Sequence, residues 1–331
     1  MAVRVGILGT GFIGRVHAQN LRADERVKLV GLADVVPQAA QKLADEVGAA
    51  VYPSLEALLD AGIDALYVTT PNATHVEPVL KALEHGVHVF SEKPMATSLR
   101  GAWQIREAAR RSKGIYQIGF NRRFANVYRF VRRLIDEGRL VPLMAQMKHN
   151  RGELQHPPWT SDPKVTGGYL YETPVHLFDM GRFLFGEVAE IQGWARQSVY
   201  RELDGFAILI RFASGVLATL TSVAHTGWVF PYERVEVYGE HRTAVTEELE
   251  RAYFSPGVRE QVEAIDCFAM PFEQKWGYVT EDRLFVDAVL GERPPAVTAE
   301  DGYRATELVE ACYQAVRTGQ AVRLPLPEPS E

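Results

Sequence analysis

The chain has 331 residues, more than one ordinary hydrophobic core accommodates, so its length favours two domains. Apolar residues at 47% and charged residues at 24% are ordinary for a globular protein and exclude disordered, collagen-like and fibrous classes. A net charge of -6 without Lys/Arg clusters gives nucleic acid and anionic membranes no basic surface, and no run approaches the roughly 18 apolar residues of a membrane span.

The first third alternates short apolar runs with amphipathic stretches, the pattern of strands and helices wound into a parallel sheet. Val3 to Gly9 reads as a buried strand, and the helix behind it opens at Phe12. Lys28 to Asp34 is the second strand, followed by a helix with Pro37 in its first turn and Gly48 at its end. Asp64 to Thr70 is the next strand and a helix follows from His75. The strand ending in Ser91-Glu92-Lys93-Pro94, a helix from Ala102 to Ser112 and the strand Ile115 to Phe120 complete the set. These elements predict an α/β domain with a parallel sheet.

Beyond Asn121 the pattern changes. A helix near Asn126 leads into β-rich segments joined by turn residues such as Asp204-Gly205 and Ser214-Gly215, the pattern of an open, mainly antiparallel sheet. One face would be covered by helices, including Leu170 to Phe185, and the other is apolar enough to be buried against another subunit, as in a homodimer or homotetramer. Helices at Glu281 to Leu290 and Asp301 to Thr318 precede a Pro-rich tail. The expected division is 1-122 for the parallel-sheet domain and 123-331 for an α+β domain, with the last helix able to pack back on the first domain. Cys267 and Cys312 are far apart and read as core residues, which fits a reduced cytoplasm; no secretory cleavage site follows the N-terminus.

Gly9-Thr10-Gly11-Phe12-Ile13-Gly14 leaves a predicted strand and opens a predicted helix, the context that gives G-x-G-x-x-G its meaning. Gly9 permits the tight turn, Gly11 lets the backbone approach a pyrophosphate, and Gly14 lets the helix pack on the strand. The anion would rest on the helix N-terminus at Phe12 and Ile13. Asp34 ends the second strand about 20 residues further on, where its carboxylate can take both hydroxyls of an adenosine ribose. Its charge repels a 2'-phosphate and Val35-Val36 supplies no Arg, so NAD is preferred over NADP. Lys93 follows the fourth long strand, at the carboxyl end of the sheet where Rossmann ligands bind; an ammonium there can stabilise a developing alkoxide.

With these motifs in place, the sequence resembles the glucose-fructose oxidoreductase and inositol dehydrogenase family (Gfo/Idh/MocA) over nearly its whole length. The resemblance rests on GTGFIG, on Thr69 to His75, on Glu92 to Pro94, on Gly119 to Phe124 and on Gly167 to Asp179. It implies an NAD-dependent dehydrogenase that oxidises a hydroxyl of a sugar, a cyclitol or a related polyol, with Lys93 catalytic and no metal required. The family's second element, D-x-x-x-H-x-x-D, here reads Glu172, His176 and Asp179. The i, i+4 spacing would put Glu172 and His176 on one helical face, with the carboxylate orienting His176 as general base. Glu172 departs from the family's Asp: it pairs with His176 from a shifted backbone, contacts the substrate, or marks a substrate unlike inositol. Pro174 suits a helix start, which would put Glu172 at the cap. Asp179 reads as structural.

The resemblance also carries Thr70, Pro71, Asn72, His75, Glu92, Asn121 and Trp159 toward the cofactor. It carries Arg122, Thr173 and Tyr232 toward the substrate, while Arg123 could simply pair with a surface carboxylate. His149, Asn150, Arg151 and His156 form a polar cluster that binds substrate hydroxyls or lines a wet loop. Competing readings are a keto-sugar reductase, a hydride-cycling glycosidase of the same fold, and a non-enzymatic NAD-binding regulator.

Overall fold

A computed structural model describes residues 2–228 and 232–329. The chain divides into two compact units, Met1–Asn121 with Tyr278–Tyr303, and Arg122–Gly277 with Arg304–Glu331. The first unit is therefore discontinuous, which a single cut between residues 122 and 123 does not capture.

In the first stretch, β1 (Val3–Leu8), β2 (Val27–Ala33), β3 (Ala50–Val51), β4 (Ala65–Val68), β5 (His88–Glu92) and β6 (Tyr116–Gly119) alternate with α1 (Phe12–Ala23), α2 (Pro37–Val47), α3 (Leu55–Asp60), α4 (Val76–Glu84) and α5 (Leu99–Arg111). All strand pairs are parallel, in the order β3-β2-β1-β4-β5-β6. Helices on the sheet faces explain why β4 is buried at every position: a strand covered on both sides is a continuous apolar run. The reversal of order between β1 and β4 opens the crevice at the strands' carboxyl ends where nucleotides bind. Ser54 and Ser98 start α3 and α5 by accepting the backbone N–H groups of Ala57 and Gly101.

In the second stretch, α6 (Asn126–Asp136) leads to β7 (Met144–His149), the short helices α7 (Pro163–Thr166) and α8 (Tyr169–Glu172), and α9 (Val175–Phe185). Then come β8 (Val188–Arg196), β9 (Gly205–Phe212), β10 (Leu217–Val223), β11 (Glu233–Gly239), β12 (Arg242–Glu247), β13 (Arg251–Ser255), β14 (Glu263–Asp266) and α10 (Phe272–Lys275). The nine-stranded order is β14-β13-β12-β11-β7-β10-β9-β8-β15, where β15 (Val322–Arg323) is a clip formed by the Pro-rich tail. Among the described residues of this sheet only β7 and β10 run parallel. Strict alternation in β9 turns Phe206, Ile208, Ile210 and Phe212 inward and leaves Leu209 outside. Helix α9 lies on the inner face, where a Cβ on Gly181 would stand 3.0 Å from the Phe212 ring. Met144, Trp194, Leu209 and Leu217 are exposed on β7, β8, β9 and β10.

Next in the chain are α11 (Tyr278–Val289) and α12 (Ala299–Thr318). The former packs on α1, placing Phe285 and Val286 in the core of the parallel-sheet unit. Thus the penultimate helix, and not the last, is the one that returns whole to the nucleotide unit.

Closeness between β1 and α1 depends on glycine. A Cβ on Gly14 would fall inside the carbonyl oxygen of Gly9 and 2.8 Å from Thr69 Oγ1, whereas one on Gly11 would meet nothing within 4 Å. Gly14→Ala is therefore expected to destabilise the fold by roughly 1–3 kcal/mol, the usual range for overpacking. Gly11→Ala should stay within about 0.5 kcal/mol of wild type. Denaturant midpoints of the two variants check this; equal losses would show that turn geometry and not steric contact sets the requirement.

Candidate functional site

The cofactor end is built on the β1–α1 turn. Gly9 has φ +98°, and a side chain there would strike the Thr69 carbonyl carbon at 2.7 Å, so β1 and the loop after β4 meet backbone to backbone. Thr69 secures that meeting by donating its hydroxyl to Gly9 O at 2.7 Å. Gly11 is the N-cap of α1, with no side-chain cap and no acidic residue in the first turn. Open space above Gly11 and the positive end of a 12-residue helix together form a cradle that a pyrophosphate would fill. Phe12 is exposed at the mouth, Ile13 is half-buried, and Gly14 is buried against the strand.

Asp34 is held at the end of β2. Its Oδ2 accepts from Thr10 N at 2.7 Å and Thr10 Oγ1 at 2.9 Å, and its Oδ1 accepts from Val36 N at 2.8 Å. Val36 itself caps α2, so Asp34 is not that helix's N-cap. The carboxylate is half-buried and oriented by the glycine turn, with acceptor capacity left for ribose hydroxyls. Val35 beside it is 98% exposed and carries no charge that could attract a 2'-phosphate.

The loop after β4 lies across the ends of the strands. Thr74 donates its hydroxyl to Pro71 O at 2.7 Å and lies 2.9 Å from Thr70 Oγ1, and Asn72 is buried. His75, fully buried, sits between two loops, with Nδ1 2.8 Å from Pro94 O and Nε2 2.7 Å from Thr70 O, and its neutral ring donates to one of these carbonyls. Burial lowers its tendency to take up a proton despite these carbonyls. The ring packs Thr70 and the Lys93-Pro94 turn against its two edges. Glu92 is buried, Lys93 is half-buried, and Lys93 N donates to Glu92 Oε2 at 3.0 Å. Asn121 is buried at the end of the unit's first stretch.

The second unit contains a separate buried polar cluster centred on Glu233. Arg122 donates from Nε and Nη2 to Glu233 Oε2 at 3.2 and 3.1 Å, and His149 Nε2 stands 3.3 Å from the same oxygen. Tyr128 donates its hydroxyl to Oε1 at 2.7 Å. Arg122 Nη1 also reaches His176 Nε2 at 2.9 Å. A guanidinium can only donate, so Nε2 is the acceptor and any ring hydrogen of neutral His176 sits on Nδ1. Tyr232 stands 6.5 Å from the His149 ring and 6.4 Å from Trp276, and the Arg122 guanidinium lies 5.2 Å over Trp276. The structure thus gathers Arg122, His149, His176 and Tyr232.

Glu172 departs from the expected single helix. The segment breaks into α8 and α9: His176 N bonds Thr173 O at 3.4 Å and Leu177 N bonds Pro174 O, both three residues back. Proline at 174 ends one turn and caps the next. Glu172 Oε1 instead accepts from Arg151 Nη1 at 2.8 Å, and Thr173 is buried at the break. Asn150 uses its carboxamide oxygen to accept from Val223 N at 3.1 Å, tying β7 to β10. His156 lies outside the cluster, its side chain 83% exposed, and Trp159 is half-buried in a short turn. Arg123 does not pair with a surface carboxylate: it forms a buried bidentate pair with Asp179 at 2.8 and 2.6 Å, a structural role for both.

Sequence reasoning missed Glu233, Tyr128, Trp276, Thr69 and His17. A signal for Glu233 exists, because it is in phase with the buried Val235 and Val237 along β11, and a carboxylate in core phase requires a partner. Burial pushes the Glu233 carboxyl up, but Arg122, His149 and the Tyr128 hydroxyl outweigh it and hold the group below the ordinary glutamate range. A lowered value means that the anion's contribution to stability is complete above the unfolded-state value and is lost as pH falls through the folded one. Glu233→Gln should therefore be less stable than wild type at neutral pH, and the gap should narrow below about pH 4. Urea denaturation at graded pH checks this; a gap independent of pH would assign the loss to shape and not charge.

A family model described as "Oxidoreductase family, NAD-binding Rossmann fold" matches residues 3–120, and one described as "Oxidoreductase family, C-terminal alpha/beta domain" matches residues 132–324. Myo-inositol 2-dehydrogenase of Thermotoga maritima is 27% identical over 335 residues, covering 97% of this chain and 98% of the relative. Inositol 2-dehydrogenase of Burkholderia lata is 29% identical over 330 residues, covering 96% and 95%. The structure of GenD2 from gentamicin A biosynthesis in complex with NAD superimposes with a TM-score of 0.85 at 26% identity, covering 98% of this chain and 97% of that one. Levoglucosan dehydrogenase in complex with NADH shares the fold, with a TM-score of 0.90 at 18% identity, covering 98% and 100%. Among the described residues no helix is long and apolar enough to cross a membrane. The chain belongs to the Gfo/Idh/MocA oxidoreductase family, with an NAD-binding Rossmann domain followed by that family's C-terminal α/β domain.

Proposed function

We propose that the protein oxidises a secondary hydroxyl of a sugar, a cyclitol or a related polyol, transferring hydride to NAD. The observation that carries this reading is the neutral, lone-pair-bearing Nε2 of His176 in a buried cluster, in a chain whose parallel-sheet strand β5 ends in the Glu92-Lys93-Pro94 turn. Relatives along the whole chain are named for inositol oxidation, which supports the same class of substrate. When bound, NAD supplies the hydride acceptor at C4 of its nicotinamide ring.

The reading requires Lys93 and His176 to face one carbinol. The Lys93 ammonium polarises the hydroxyl and stabilises its developing negative charge. The substrate hydroxyl replaces the Arg122 N–H at His176 Nε2, which then accepts the proton as general base. Arg122 remains on Glu233, whose negative charge offsets the positive charge that appears on the imidazole. Glu172 acts through Arg151 and not as the direct orienting partner of His176. Exposed Met144, Trp194, Leu209 and Leu217 support assembly into a homodimer or homotetramer through the outer face of the nine-stranded sheet.

The direct test is the appearance of NADH absorbance with NAD and a panel of inositols, aldoses, sugar acids and amino sugars. NAD binding with no turnover on any of them, nor with their keto forms and NADH, would favour an NAD-binding regulator. Lys93→Ala should lower kcat by about 100- to 1000-fold, the scale of one lost transition-state donor, and leave NAD affinity nearly intact. Turnover unchanged in that variant removes Lys93 from the mechanism. Asp34→Ala should weaken NAD by roughly 10- to 100-fold, as expected for lost charge-assisted hydrogen bonds, and narrow its advantage over NADP. An unchanged preference in titrations of the two dinucleotides would mean that the ribose is held elsewhere.

A further inference from the structure

Beneath the Glu92-Lys93-Pro94 turn lies a buried three-charge chain with no part in the chemistry described above. His17 comes three residues after Gly14 on α1, and its ring has no solvent exposure. Nδ1 lies 2.7 Å from Asp282 Oδ1 on α11, and Nε2 lies 3.2 Å from Glu92 Oε1 at the end of β5. Two carboxylates on opposite ring nitrogens require both nitrogens to donate, so the ring is an imidazolium. Asp282 is held from its other side by Asn20 Nδ2 at 2.8 Å. Glu92 uses its other oxygen to accept from Lys93 N at 3.0 Å. The groups facing His17 are Asn20 on its own helix, the rings of Tyr67 on β4 and Phe90 on β5, Glu92, and Tyr278 and Asp282 on α11.

Stability alone gives no reason for this arrangement. Burying ions costs several kcal/mol each, and well-packed apolar residues of similar volume hold elements together as well or better. What an apolar trio cannot supply is direction: a fixed imidazolium specifies where the Glu92 carboxylate sits and which oxygen is left to hold the backbone of Lys93. Gly119 leaves room for that carboxylate, since a Cβ there would stand 3.3 Å from Glu92 Oε1. His17 rides on the helix whose N-terminus forms the pyrophosphate cradle, so one side chain joins the cradle to the lysine turn.

We propose that His17, anchored by Asp282, is a positioning residue for Lys93: it holds Glu92 so that the lysine turn keeps a fixed place relative to the glycine turn. This rests on the reading of Lys93 as the hydroxyl-polarising group. The opposed carboxylates outweigh the effect of burial and raise the imidazole's proton affinity to about 10, so the link persists through the neutral range.

The test is His17→Gln, which keeps a donor for one carboxylate and removes the charge. Its kcat should fall about 10- to 100-fold per folded subunit while KM and the dissociation constant for NADH, read by fluorescence, change by less than about threefold, the split expected when only transition-state interactions are lost. Wild-type kcat in a folded His17→Gln protein would overturn the proposal. Should that variant fail to fold, Asp282→Asn provides the second measurement. It keeps the imidazole but removes its first counter-charge, so His17 loses its proton at lower pH. The ratio of variant to wild-type kcat should then decline between about pH 7 and pH 9, and a ratio independent of pH overturns the proposal. A cofactor-independent readout is the His17 ring N–H signals in NMR spectra, which should persist at pH 8 in wild type and be lost or broadened in Asp282→Asn. Lys93→Ala separates the two ideas: if it turns over normally the catalytic reading itself fails, whereas a dead Lys93→Ala beside a fully active His17→Gln defeats only the positioning role.

Discussion

The contact on which the nucleotide unit depends is the approach of Gly14 to the carbonyl of Gly9, too close for any side chain. It brings the first turn of α1 directly over the end of β1. From that one closeness several placements follow. Thr10 comes within reach of Asp34, Thr69 can tie the loop after β4 to the glycine turn, and His17 arrives over the end of β5. The Asp34 carboxylate, the glycine turn and the lysine turn are therefore all tied to the position of one helix.

In the second unit the organising element is a charge and not a void. Glu233 is a fully buried anion whose neighbours, Arg122, His149 and Tyr128, each offer it a donor. Such a centre is costly to bury, but it places the Arg122 donor on His176 Nε2 and so selects the tautomer with its hydrogen on Nδ1. The two units solve a similar problem with opposite signs. In one, a buried imidazolium orders carboxylates; in the other, a buried carboxylate orders cations and imidazoles.

Much of this was legible in the sequence. The glycine pattern, Asp34 and the alternating elements gave the parallel sheet because those features are local: turn, strand and helix lie within about 30 residues. The antiparallel character of the later sheet was readable from alternation in segments such as Gly205–Phe212. Its nine-strand order and the parallel β7–β10 pair were not, since pairing between distant strands leaves no local mark. For Glu172 the sequence offered two placements, and the break at Pro174, which starts α9, favours the one that read this proline as a helix start over the single helix of the i, i+4 argument. His17 and Glu233 were overlooked because one looks like any polar residue on an amphipathic helix and the other like any charge on a strand. Only burial reveals that each is paired with residues far away in the chain, up to 265 positions for His17 and Asp282.

That long separation bears on how the chain comes to be folded at all. Residues 2–121 leave the ribosome first and contain every strand of the parallel sheet, yet α11, which covers α1 and carries Asp282, is synthesised only after the whole of β7–β14. Until then the nascent nucleotide unit has an apolar flank open where Phe285 and Val286 belong, and a histidine without its main counter-ion. A fragment ending at Gly277 would possess the full nucleotide fingerprint and still lack part of that unit's core.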